Sequence, residues 1–144
     1  MTNATVGKLL EALGVAHVQI GDGESTTIKG IAIEGFGKTH APIYGTIGNV
    51  ENTGYFVAGK FYFPGDNFYV PGKPVDVLAL PVAGPWMRIA DAVDFAKKIR
   101  ARTAFGVHDG MIQPFFRGFA GNLLKKFVPE TAYIALQDGE SRVF

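Results

Sequence analysis

The chain has 144 residues, enough for one domain with a real core. Hydrophobic residues make up 47% and charged ones 19%, a balance that excludes a disordered polypeptide. A net charge of +1 gives no electrostatic basis for nucleic acid or an anionic membrane as a partner, and zero cysteines exclude disulfides and thiolate metal sites. No apolar run reaches the ~20 residues that span a bilayer, and the N-terminus lacks a charged-then-apolar leader, so the expected location is cytoplasmic.

Residues 3–13 predict a short helix, with Val6, Leu9, Leu10 and Leu13 on one face and Gly14 placed to end it. Ala16–Ile20 reads as a strand, and Gly21–Ser25 as a turn. Thr26–Glu34 alternates imperfectly around Gly30, which predicts one strand with a bulge or tight bend. Gly35–Asn52 then forms a long glycine-containing loop that carries His40; loops of that length in compact domains are often functional.

Thr53–Ala58 and Phe61–Pro64 predict a hairpin around Gly59-Lys60, ending in Gly65-Asp66. Val75–Leu80 is continuously apolar, as in a strand buried on both faces. Pro81–Pro85 turns the chain into a helix over Met87–Arg102. Thr103–Val107 is a strand that delivers His108, followed by a loop over residues 109–118. Phe119–Phe127 predicts a helix, Ala132–Leu136 a strand, Gln137–Glu140 a turn, and the remainder a short last strand. Strand, helix and strand over 75–107 predict one βαβ crossover. The cationic clusters Lys97, Lys98, Arg100, Arg102 and Lys125, Lys126 fall at helix ends, where positive charge complements the dipole and reads as a solvated face. No linker or internal repeat divides the chain, so residues 1–144 read as a single domain.

His40, Asp66 and His108 each lie just past an apolar run. Imidazole nitrogen and carboxylate oxygen are ordinary ligands for zinc, iron or manganese, so three strand ends converging would make a metal site. Read singly, each is an unremarkable loop histidine or a common Pro-Gly-Asp turn. His17 reads as a structural strand histidine.

The segments GKTHA, NTGYFVAGKFYFPGD, VDVLALPVAGPWM and AFGVHDG, with QDGES at the end, resemble the C-terminal half of the metallo-β-lactamase fold, in the bacterial metal-dependent hydrolases of that superfamily. The resemblance covers residues 4–144. It implies an α+β (mixed α/β) fold: half of an αββα sandwich, a mostly antiparallel sheet with helices on one face. It implies that His40 ligates one metal, Asp66 bridges, and His108 ligates the second, with Asp66 and His108 also catalytic. The implied cofactor is a divalent metal, zinc first, with manganese or iron as alternatives. Trp86 and Asp109 line the same loops. Trp86 reads as packing, and Asp109 either orients His108 or caps its turn.

The family's histidine-x-histidine-x-aspartate-histidine string is nowhere in this sequence, and with it four of the seven usual ligands are absent. The resemblance therefore implies a hydrolase of small esters, amides, lactones or phosphodiesters that is weakly active or inactive as an isolated chain. The competing readings are a non-catalytic, oligomerising module derived from that fold and, in third place, a β-rich small-molecule binding domain. Half of a two-sheet sandwich leaves one sheet face uncovered, so the expected partner is a second copy in a homodimer or a missing N-terminal half.

Overall fold

Pairs of residues in the left-handed region build the first part of the sheet. The computed structural model describes residues 1–144, the side chain of Pro114 excepted. Strands β1 (Ser25–Ile28) and β2 (Ile31–Phe36) pair antiparallel with Ile28 opposite Ile31. Between them Lys29 and Gly30 have φ of 50° and 81°, the paired left-handed values whose twist suits a two-residue hairpin. The expected single bent strand over Thr26–Glu34 is thus two strands. Gly30 alone suggests a bulge or tight bend, but with Lys29 also left-handed the chain reverses completely.

β3 (Gly54–Val57) and β4 (Phe61–Phe63) form the predicted hairpin, turning through Ala58 and Gly59, both left-handed. β4 then pairs parallel with β5 (Val77–Pro81), β5 with β6 (Thr103–Val107), and β6 with β7 (Ala132–Ile134). The seven strands lie in chain order, three antiparallel pairings followed by three parallel ones. The α+β class holds. The antiparallel share is half rather than most, because a non-helical crossover over 64–76 and two helical ones make the later strands parallel.

The first crossover is helix α2 (Ile89–Ile99). It begins where the Asp91 carboxylate accepts the Arg88 N–H at 2.7 Å, and it ends where Arg100 turns left-handed at φ 54°. Those two signals make it shorter than the expected 87–102. The second is α3 (Pro114–Phe127), which starts at a proline rather than at Phe119; a first-turn proline loses no helical hydrogen bond. Lys97, Lys98, Lys125 and Lys126 occupy the last turns of these helices, as expected.

One sheet face packs on both helices. Tyr62, Leu78, Leu80 and Ala104 meet Val93, Ala96 and Ile99 of α2 and Ala120 and Leu124 of α3. Alternation puts Val77 and Ala79 on the opposite face, beside Phe61 and Phe105 in register. There Phe61, Phe105 and the terminal Phe144 stack in succession at 6.3 and 5.6 Å. The β5 run is buried on both faces, as its composition predicted.

Helix α1 (Ala4–Ala12) departs furthest from expectation. Asn3 caps it by accepting the Val6 N–H, but Leu9 and Leu13 of its apolar face are 62% and 75% exposed. Ala16–Ile20 is no sheet strand; it makes one parallel bridge, Thr2 to Gln19, which ties α1 down. After β7 the turn at 137–140 forms, with no strand beyond it. No helix of the described residues is long and apolar enough to cross a membrane.

Tyr62 is fully buried and donates its hydroxyl to the Tyr69 carbonyl at 2.8 Å. Burial, with Tyr69 nearby, pushes that phenol well above its ordinary value. A raised acid pKa adds stability that is complete below the unfolded value near 10 and fades as pH rises toward the folded one. Tyr62→Phe therefore lowers stability at pH 7 by about 1 kcal/mol. It also flattens the decline above pH 10 by up to about 1.4 kcal/mol per pH unit. Urea titrations at pH 7 and pH 11 check both effects.

Candidate functional site

Strand direction brings the three candidates together. β2 is antiparallel to β3 and β3 to β4, so β2 and β4 run the same way; β5 and β6 follow β4 in parallel. His40 comes after the end of β2, Asp66 after β4, Trp86 after β5 and His108 after β6, so all four lie at one edge of the sheet. His40 Nε2 is 3.4 Å from Asp66 Oδ2, and His108 Nε2 is 3.4 Å from Asp66 Oδ1. Each imidazole addresses its own carboxylate oxygen.

The backbone fixes the carboxylate first. Gly65 is left-handed at φ 69°, and Asn52 fills the space where a side chain would stand. Asn52, itself buried, accepts the Asp66 N–H at 2.8 Å and donates to the Pro64 carbonyl at 2.9 Å. The Asp66 carbonyl in turn accepts the Ala41 N–H at 2.9 Å, and the His40 N–H reaches the Val50 carbonyl at 2.9 Å. Asp66 thus anchors the loop that carries His40. Asn67 adds a second tie, donating to the Thr39 carbonyl at 2.7 Å.

His40 Nδ1 hydrogen-bonds the Ala41 carbonyl. A carbonyl can only accept, so Nδ1 carries the proton and, in the neutral ring, Nε2 presents a lone pair toward Asp66. His108 sits at φ 61°, a value sparsely used by residues with a side chain. The indole of Trp86 meets both imidazoles edge-on, at 6.1 and 6.4 Å between ring centres, and packs on Phe68 at 5.0 Å. It is packing, as read from the sequence, but packing against the site itself.

A charge-assisted N···O hydrogen bond is about 2.7–2.9 Å long, shorter than either contact. Two ligands on one tetrahedral cation with bonds of about 2.0–2.1 Å stand roughly 3.3 Å apart, close to both. The donors therefore fit a divalent cation in kind and in spacing. They fall short in number: among the described residues no three His, Cys, Asp or Glu side chains form a group able to hold one. What exists is two pairs sharing a carboxylate.

Residues 8–108 match the family described as the β-lactamase superfamily domain. This chain belongs to that family. It is also 34% identical over 119 residues to protein Rv0786c of Mycobacterium tuberculosis, covering 79% of this chain and 54% of the relative. The chain thus spans about half the length of that curated relative. A solved structure, a point mutant of the CmlA β-hydroxylase, superposes with a TM-score of 0.55 at 14% identity. That match covers 92% of this chain and 35% of the other, and shows a shared fold.

Within this β-lactamase superfamily domain, the carboxylate next to His108 pairs with α3. The Asp109 carboxylate makes no hydrogen bond to the His108 ring; it faces Arg117 Nε at 3.6 Å. Asn52 carries no signal of its role in the sequence, since its partners Pro64 and Asp66 lie 12 and 14 residues away. His17 keeps its structural reading, bonded to the Val15 carbonyl and 3.8 Å from Glu11. Near the site Tyr133 has its phenol raised by burial and then by the Asp109 charge, so it stays protonated at neutral pH.

Replacing Asn52 by Ala strands the Asp66 N–H and the Pro64 carbonyl in a buried turn. Asn52→Ala lowers unfolding stability by about 1–3 kcal/mol, measured by denaturant titration with chelator present.

Proposed function

We propose that this chain carries half of a two-cation hydrolytic centre, in which Asp66 bridges while His40 and His108 each hold one divalent cation. The observation that supports this reading most is the symmetric approach of the two imidazoles to separate oxygens of one carboxylate. Zinc suits these donors, as do manganese and iron. When bound, such cations polarise a carbonyl or phosphoryl oxygen and lower the pKa of water.

The chain's own contribution is positional. Asn52 holds Asp66 outward, the Ala41 carbonyl selects the His40 tautomer, and Trp86 screens both imidazoles from water on one side. The substrate class is a small ester, amide, lactone or phosphodiester. Two protein donors per cation fall below the three of an ordinary catalytic zinc, so affinity and turnover are low in the isolated chain. The missing donors belong to a histidine-rich N-terminal half or to another chain.

The test is zinc titration by calorimetry. Wild type binds weakly; His40→Ala and His108→Ala each lose at least about ten-fold, and Asp66→Ala loses more because both cations use it. Unchanged binding in Asp66→Ala overturns the proposal.

A second reading, a non-catalytic module that folds by pairing, is favoured by the apolar surface left open on α1 and at Ile31 and Phe63 of the sheet. Light scattering after size exclusion separates the two: a dimer without zinc affinity supports pairing, and a monomer removes it.

A further inference from the structure

His108 has to hold an unfavourable backbone conformation while pointing at Asp66. Its φ of 61° is over-determined only if something grips the chain on both sides. Before it, Gly106 runs so close to Tyr133 that a Cβ there would lie 2.5 Å from the phenol oxygen. After it, the carboxylate of Asp109 faces Arg117 Nε at 3.6 Å. Arg117 rises from the start of α3, and its Nη1 donates to Asp138 Oδ1 at 2.9 Å in the turn after β7. Gly106, Asp109, Arg117 and Tyr133 line a cavity of about 160 Å³ there.

The Arg117 Nε is buried and makes no hydrogen bond, so the carboxylate of Asp109 is the charge that compensates it there. Both side chains are about three-quarters buried, which weakens screening by salt. Asp138, 86% exposed, accepts the guanidinium's hydrogen bond and raises its pKa most, so Arg117 is held from two sides, by Asp138 at Nη1 and by Asp109 at Nε.

We propose that Arg117 is a positioning residue: through Asp109 it clamps the left-handed turn at His108 and so aims that imidazole at Asp66. The proposal rests on the reading of His108 as a metal ligand given above. Without the guanidinium, Asp109 loses its counter-charge and the turn relaxes toward the common right-handed region. The imidazole then leaves both Asp66 and Trp86.

Two readouts test this on the full chain. In metal-free protein, proton NMR shows a nuclear Overhauser contact between the His108 ring and the Trp86 indole, whose centres are 6.4 Å apart. Arg117→Gln abolishes that contact and changes the HN–Hα coupling of His108, while Arg117→Lys, which keeps the charge, retains the contact. Should Arg117→Gln fail to fold, Asp109→Asn carries the same expectation. With cobalt(II) as probe, Arg117→Gln weakens binding at least ten-fold and alters the visible bands. An intact ring contact and coupling in folded Arg117→Gln or Asp109→Asn overturns the clamp. Failure of the metal reading looks different: wild type binds no cobalt although the ring contact is present and sensitive to Arg117.

Discussion

The site depends on a constraint of strand direction. β2, β4, β5 and β6 all run the same way, so their carboxyl ends share one edge of the sheet. Had the chain continued as a meander after β4, β5 would run antiparallel and Trp86 would leave from the far edge. The connection over 64–76 prevents this by returning the chain to the starting edge before β5, and the α2 crossover repeats the return before β6. Its amphipathic face, with Val93, Ala96 and Ile99 buried against Leu78 and Leu80, returns the chain to the starting edge before β6 begins. Core packing, remote from the imidazoles, thereby fixes where His108 emerges.

Position along an edge is coarse; aim needs local chemistry. Asn52 sets the Asp66 turn, and the Asp66 carbonyl sets the His40 loop, so two of the three donors are ordered by one buried amide and one backbone oxygen. His108 receives no such help from Asn52. It lies on the other side of the sheet order, beyond β5, and it alone of the three has a left-handed backbone. The donors therefore differ in how firmly they are held, and the His108 pair is the one whose geometry answers to α3 and the segment after β7.

Much of this was legible in the residues. The β3–β4 hairpin, the two-sided burial of β5 and the strand before His108 follow from apolar period and turn residues, because those elements pack locally. Signals requiring two residues at once were harder. Lys29 shows no sign of a left-handed conformation until it pairs with Gly30, and Pro114 reads as a loop residue unless the helix behind it is seen. Asn52 was invisible as a clamp because its partners, Pro64 and Asp66, are distant in sequence. The apolar face of α1 was legible as a helix stripe, yet its exposure was not: periodicity states which residues share a face, not whether anything covers it.

On the two-cation reading proposed above, the shortage of donors also bears on the sheet face away from α2 and α3. Further ligands would have to come from outside this set, because the described residues form no group of three donors. Any segment supplying them would lie beside the face bearing Phe61, Phe105 and Phe144, since the opposite face is already filled by α2 and α3. On that reading, covering that face and completing the coordination would be one event. Apolar burial would supply the association energy, and the cations would fix its register. A partner that buried the aromatics without presenting donors would stabilise the sheet and leave both histidine–aspartate pairs as they stand.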